Sequence, residues 1–425
     1  MVTLLTTRRF APLFVTQFLN AFNDNLFKTA MLFLVTYRLL ADDPAGAAGL
    51  VSIAAGMLML PFLLFSGIAG TLADAIDKAK IARVVKLCEI GIMALGAFAL
   101  HGNSIPLLLA VIFLLGVHST FFSPIKYAIL PQHLDGREVL TGTGLIEGGT
   151  FVAILTGQVL GGLIAPDLAA IGILVVAVIG WLSARGIPPA PPAADAGPVD
   201  WNPWTSTLTI LRGTYVNPAV RDATIAISWF WGFGTVYTTQ FIPLVKGGLN
   251  ASADVATSFL AIFSVGVAAG SIGVARLLKG QISARAAPWA LIVLALAGVE
   301  LLFALRALPV PAAPLGWSAF FAEPQAWRIV VDLFVLAAAG GVFSVPLYAI
   351  MATASGAHVR AGAIAANAFI SAFFIVGAAL AAGAAASGGV PIPVILVVTG
   401  FSGVLVLPQL LRLAAAKWTR PAALG

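Results

Sequence analysis

The chain is short of charge. Asp, Glu, Lys and Arg together make up 9% of its 425 residues, against about 25% in soluble domains, too few to cover a water-facing surface of ordinary size. It holds one cysteine, Cys88, which excludes an internal disulfide and a cysteine metal cluster. None of its eight lysines follows a glycine, so a Walker A phosphate loop is absent and no internal ATP motor is expected. His101, His118, His133 and His358 are its four histidines. None has an Asp five residues on, as glycerolipid acyltransferases require, and none forms a metal-binding pair. No catalytic residue, cofactor or metal is expected.

What is plentiful is apolar: 60% of the residues are hydrophobic and the mean hydropathy is +1.02. This composition reads as a polytopic membrane protein. Long hydrophobic runs between charge and Pro/Gly breaks predict twelve spans at about 10–40, 45–73, 81–101, 104–126, 139–165, 167–185, 218–245, 253–278, 286–307, 328–350, 361–386 and 390–413. The first run is too long for a cleavable signal and has no small-residue cleavage site, so it is expected to stay.

The net charge of +6 is explained by where the basic residues fall rather than by an acidic partner such as nucleic acid. Eighteen Lys and Arg lie in one set of loops and tails, among them Lys78, Lys80, Arg83, Lys86, Lys126, Arg360, Lys417 and Arg420. The opposite loops hold four, Arg38, Lys246, Arg306 and Arg328, and Lys28 lies within a span. By the positive-inside rule both termini are expected to be cytoplasmic.

Residues 186–217 form the longest non-apolar stretch, GIPPAPPAADAGP followed by WNPW. Its proline density predicts a semi-extended cytoplasmic linker, and Trp201, Trp204, Leu208 and Leu211 the apolar side of a short interfacial helix. It separates an N-terminal six-helix bundle, 1–185, from a C-terminal one, 218–425. FSPIKYAIL at 122–130 and FSVPLYAIM at 343–351 agree at five of nine positions, each in the fourth span of its half, as expected of a parallel repeat. Gly144 and Gly148, Gly157 and Gly161, and Gly266 and Gly270 have GxxxG spacing, which lets helices approach closely.

Polar groups inside the spans mark the candidate site. The first span is interrupted by QFLNAFNDNLFK, 17–28, which puts Asn20, Asn23, Asp24, Asn25 and Lys28 at bilayer depth, where a charge costs roughly 2.5–3.5 kcal/mol. Gln17, Asn20, Asp24 and Lys28 are spaced 3, 4 and 4, which predicts one polar face toward a wet cavity and an opposite face toward lipid. Asp24 and Lys28 could equally satisfy each other as an i, i+4 pair. Glu147 in span five is read as the other embedded ionisable group, sharing a face with Thr143, Thr150 and Gln158 and answering Lys126 or Lys28. His118, Phe122 and Lys126 form a further i, i+4 line, in which a lone His is read as a packing residue rather than a proton carrier.

The loop GTLADAIDKAK, with Gly70, Asp74 and Lys78, resembles the cytoplasmic signature of the major facilitator superfamily, Gly-x-Leu-x-Asp followed by basic residues; Asp77 stands where that signature has its second glycine. Asp74 near a helix end is expected to pair with basic groups of a neighbouring bundle and hold a gate closed. Within that superfamily, QFLNAFNDNLFK, SPIKYAIL at 123–130, GTGLIEGGTFVAILTGQVLGG at 142–162 and GVFSVPLYAI at 341–350 resemble the lysophospholipid transporter family. Relatives that carry an Arg after a Phe-Trp-Gly segment align it near Thr238, so a charge lock using that Arg is not carried over.

The resemblance implies an all-α membrane protein with twelve transmembrane helices in two pseudo-symmetric six-helix bundles and a central site between them. It implies transport of a lysophospholipid such as lysophosphatidylethanolamine, with membrane lipids and a separate re-esterifying acyltransferase as partners. A proton-coupled exporter of drugs or small metabolites is the alternative, and a non-transporting scaffold the third reading.

Overall fold

A computed structural model of the chain describes residues 2–308, 313 and 315–416; Lys417 and Arg420 lie outside them. The described residues are helical, save for turns, an irregular strap at 188–202, other short irregular stretches and one isolated bridge between Ala251 and Leu315. Twelve spans follow in order: α1 (Ala11–Leu34), α2 (Pro44–Ala75), α3 (Lys78–His101), α4 (Ile105–Ala128), α5 (Gly136–Leu163) and α6 (Pro166–Arg185), then, after the surface helix α7 (Pro203–Val216), α8 (Pro218–Pro243), α9 (Ala253–Leu277), α10 (Ala287–Ala307), α11 (Pro324–Ala354), α12 (Arg360–Ser387), and α13 (Ile392–Phe401) with α14 (Leu407–Ala415) as one broken span. Among the described residues, ten helices are long and apolar enough to cross a membrane on length and composition alone. The remaining two spans, α1 and α8, have 24 and 26 residues but more polar sequences. Each opens its half of the chain, and each runs into a five-residue π-helical turn, Val35–Leu39 after α1 and Leu244–Gly248 after α8.

Local chemistry sets the helix ends. Proline stands in the first turn of α1, α2, α4, α6 and α7, where its missing N–H costs nothing. Asp43 caps α2 by accepting from Gly46 N at 2.9 Å, and Asn202 caps α7 by accepting from Trp204 N at 2.9 Å. Asp135 and Glu138 form a capping box at the start of α5.

The chain divides into two compact units, 1–220 with 351–369, and 221–350 with 370–425. In the first, α1 packs on α5 and α6, α2 on α4, and α3 on α6. Glycine makes the α1–α5 approach possible: a Cβ at Gly157 would strike the Phe22 carbonyl, and one at Gly161 would lie 2.7 Å from Leu26 O. In the second unit, a Cβ at Gly266 would lie 2.8 Å from Phe334 O, and one at Gly270 would strike Ala338 O. These pairs are contact surfaces, as their spacing predicts. Aromatic rings fill much of the second unit, with Phe233 and Tyr237 at 4.5 Å between centroids and Trp229 against Phe343 at 5.5 Å.

The segment before α7 is not a free linker. Lys78 N donates to Ala190 O at 3.0 Å, Arg83 Nη2 to Ile187 O at 2.8 Å and Gln132 Nε2 to Pro191 O at 2.9 Å. His133 Nε2 lies 3.2 Å from Pro189 O, and burial depresses the affinity of its imidazole for a proton below the ordinary value. Pro189 and Pro191 have no N–H of their own to satisfy, and with Ile187 and Ala190 they offer carbonyls to the loops that the strap crosses. α7 then turns Ser206, Thr207, Ile210 and Thr214 inward, leaving Trp201, Trp204, Leu208 and Tyr215 exposed.

The candidate site on the first helix

Of the polar residues of α1, Asp24, Asn25 and Lys28 line a cavity, but Gln17 and Asn20, expected on the same face as Asp24 and Lys28, do not line it. Together the α1 polar residues point at four neighbouring helices. Gln17 Nε2 donates to Thr150 Oγ1 on α5 at 3.1 Å, and Asn25 Oδ1 accepts from Gln158 Nε2, also on α5, at 3.4 Å. Asn23 Nδ2 donates to Glu89 Oε1 on α3 at 2.9 Å and to Ile173 O on α6 at 3.1 Å. Asn20 Nδ2 donates to Asp24 Oδ2 at 3.2 Å, and Ser119 Oγ on α4 donates to the same oxygen at 2.8 Å. The expectation of a helix half in lipid is therefore corrected. The helix is enclosed on most sides, and its amides are drawn to α5, α3 and α6 because those neighbours also carry buried polar atoms.

Asp24 and Lys28 are not joined by an ion pair within 4 Å. Both instead line a cavity of about 150 Å³ together with Asn25, Leu58, Met59, Phe62, Ile112, Leu115 and Ser119. Asp24 Oδ1 is buried and has no hydrogen-bond partner. The cavity thus has Asp24, Lys28 and an amide on one side and, apart from the Ser119 hydroxyl, an apolar wall from α2 and α4 on the other.

Three fully buried ionisable side chains were not assigned to the site from sequence. Lys86 and Glu89 of α3 form an ion pair with both side chains at 0% exposure, and His118 Nε2 of α4 lies 3.4 Å from Glu89 Oε2. Lys86 Nζ also reaches Asn20 Oδ1 at 3.4 Å. Counting Lys86 among the loop residues and Glu147 as the other embedded acid is thereby corrected: Glu89 lies about 16 Å along a helix of 24 residues. A Lys and a Glu three apart inside an apolar run were the signal. The run of Lys78, Lys80 and Arg83 just before them masked it. His118 also stacks on Phe122, rings parallel within 1° at 6.5 Å.

Glu147 is buried and accepts from Tyr127 OH at 2.6 Å. Lys126 Nζ sits 5.0 Å from the centre of the same Tyr127 ring and makes no ion pair with Glu147 within 4 Å. The phenol rather than the ammonium satisfies the carboxylate, which corrects the direct pairing expected of Glu147 with Lys126 or Lys28. Thr143 bonds its own helix, donating to Val139 O at 2.8 Å.

At the far end of α2, Asp74 accepts from Ala361 N at 2.8 Å and Gly362 N at 2.7 Å. The carboxylate caps the first turn of α12 and faces the positive end of its dipole. The expected partner was a basic side chain; the observed partner is backbone. Gly70 lies one turn earlier, where a Cβ would come within 2.8 Å of Ala365 Cβ, so the α12 start is seated closely on α2. Asp77, in place of a glycine, caps α3 by accepting from Ala79 N at 2.8 Å and also accepts from Ala190 N at 3.2 Å. Lys78 is buried at the start of α3.

Known proteins bear on this arrangement. Residues 13–322 match the sequence model of the Major Facilitator Superfamily. The chain is similar to the lysophospholipid transporter LplT of Cronobacter sakazakii (strain ATCC BAA-894), 27% identical over 364 residues covering 84% of this chain and 83% of that protein. It is similar to LplT of Serratia proteamaculans (strain 568), 28% identical, with 84% and 83% covered. Its fold is that of the human organic anion transporter MFSD10 (TM-score 0.76, 16% identity, 95% of this chain and 99% of that one) and of the transporter FucP (TM-score 0.72, 12% identity, 96% and 99%). With twelve spans, a shared fold and a family match over most of its length, the chain belongs to the Major Facilitator Superfamily.

Proposed function

We propose that the chain is a carrier of lysophospholipids across the bacterial inner membrane, working without chemistry of its own, and that Asp24 and Lys28 receive the headgroup. The observation that carries this reading is the cavity with Asp24 and Lys28 on one side and a largely apolar wall on the other. A lysophosphatidylethanolamine presents an ammonium and a phosphate on a single acyl chain. The unpartnered Asp24 Oδ1 is an acceptor for the ammonium, and Lys28 a donor for the phosphate. At about 150 Å³ the cavity is below the roughly 300–1,000 Å³ of a pocket that encloses a whole small ligand, so it can take a headgroup and leaves the acyl chain against apolar helix faces or lipid. Similarity to LplT proteins over most of the chain supports the same substrate class.

Lys126 and Glu147, joined through Tyr127, are a second place for the phosphate or for a charge lock. Asp74, with Gly70 and Lys78 beside it, serves as a gate contact that releases the start of α12. An acyltransferase on a separate chain would consume the delivered lipid. A proton-coupled exporter is the second reading, favoured by a His in contact with a buried Glu.

Purified protein in liposomes loaded with labelled lysophospholipid tests the proposal. Wild type is expected to move lysophosphatidylethanolamine, and Asp24→Asn to lower that rate about tenfold, the worth of one charge-assisted contact. Wild-type rates in folded Asp24→Asn protein would remove Asp24 from the mechanism.

A further inference from the structure

Beside the cavity, but not lining it, Glu89 collects three groups: the Lys86 ammonium as an ion pair, Asn23 Nδ2 at 2.9 Å and His118 Nε2 at 3.4 Å. The Lys86, Glu89 and His118 side chains are at 0% exposure. Neither charge of the pair is tolerable alone at that depth, so each holds the other in place. Lys86 has a second contact, with Asn20 Oδ1 at 3.4 Å, and Asn20 in turn donates Nδ2 to Asp24 Oδ2 at 3.2 Å.

This chain of contacts has a direction. An ammonium is a donor without an acceptor, so it fixes the oxygen of the Asn20 amide toward itself and sends the NH2 toward Asp24. The NH2 and Ser119 Oγ then occupy Asp24 Oδ2, leaving Oδ1 unpartnered. Asp24, an acceptor only, draws the same NH2 from the other end; without the ammonium the Asn20 oxygen loses its donor, and the amide is held at one end instead of two. We infer that Lys86 and Glu89 are positioning residues that anchor Asn20 and thereby fix the Asp24 carboxylate, making them determinants of headgroup selectivity although neither touches the cavity. The inference rests on the reading of Asp24 as the ammonium ligand.

The test compares transport of lysophosphatidylethanolamine with that of lysophosphatidylglycerol, which has no ammonium, in liposomes, alongside thermal unfolding in detergent. Asp24→Asn is expected to reduce the preference for the amine headgroup about tenfold. The double variant Lys86→Met with Glu89→Gln removes both charges together, so neither is stranded, and is expected to reduce the preference about fivefold while unfolding near the wild-type temperature. Asn20→Ala keeps the ion pair and breaks the bridge; it is expected to give the same loss, and it decides the matter if the double variant does not fold. Loss of preference in Asp24→Asn with wild-type preference in folded Asn20→Ala and in the double variant would overturn the inference and leave the reading of Asp24 intact. Wild-type preference in Asp24→Asn would overturn that reading, and the positioning role with it.

Discussion

At the scale of single residues, the site turns on which partner each buried charge has. The periodicity of 17–28 was enough to place Asp24 and Lys28 on a helix at bilayer depth, because an intramembrane charge is legible from its apolar surroundings. Its partners were not legible: Ser119 is 95 residues from Asp24, and Glu89 is 66 from Asn23, and no local pattern ties them. Tyr127 shows the same limit, since its place beside Lys126 says nothing of the Glu147 carboxylate it meets. Removing that hydroxyl leaves a buried acceptor without its donor, which costs about 1–3 kcal/mol. Tyr127→Phe is therefore expected to lower the thermal unfolding temperature in detergent, and Tyr127→Phe combined with Glu147→Gln to restore part of the loss, an amide being less costly to bury than a carboxylate. Equal unfolding temperatures for wild type and Tyr127→Phe would show that the hydroxyl contributes nothing there.

At the scale of elements, the apolar runs gave the helices to within a few residues, as with 361–386 against Arg360–Ser387. What they could not give is how closely two helices approach. The GxxxG spacing marks candidates, and the backbone decides which are used. Gly157 meets the α1 backbone beside Phe22, Asn25 and Leu26, directly behind the polar stretch. Gly157→Leu has no flexible neighbour to displace and is expected to separate α5 from α1, breaking the Gln17–Thr150 and Asn25–Gln158 contacts and reducing the yield of folded protein severely. Gly91 has nothing within 4 Å of its Cβ position, and Gly91→Leu serves as the control that should fold. If both fold alike, as judged by size-exclusion profile and unfolding temperature, the α1–α5 approach is not limiting.

The seating of α12 on α2 belongs to this scale too. Asp74 and Ala361 are 287 residues apart, so the sequence marks the acid and not the helix start it caps. Asp74→Asn keeps the size but loses half of the acceptor capacity and the charge, the charge alone being worth about 0.3–1 kcal/mol at a helix N-terminus. The start of α12 is expected to exchange its amide hydrogens faster in Asp74→Asn than in wild type, while the α3 start, capped by Asp77, is unchanged. Unaltered exchange at Ala361 and Gly362 would mean that α12 does not depend on this cap.

At the scale of the whole molecule, the charge distribution across the membrane is the property that a sequence count reaches most directly. Moving Lys86 from the loops into α3 does not disturb the argument, because the other basic residues on that side still far outnumber Arg38, Lys246, Arg306 and Arg328 on the opposite one. The strap before α7 joins this argument, since it is hydrogen-bonded to the α2–α3 and α4–α5 connections through Lys78, Arg83, Gln132 and His133, and so shares their side of the membrane. Both the strap and the termini are then expected to face the cytoplasm. With Cys88→Ser as background, Ala193→Cys in the strap should react with a membrane-impermeant maleimide only after cells are permeabilised. Gly247→Cys, beyond α8 and beside Lys246, should react in intact cells. Labelling of Ala193→Cys in intact cells, with Gly247→Cys protected, would invert the orientation and with it the direction in which the positive loops face; labelling of both from one side would overturn the placement of α8 as a single crossing between them.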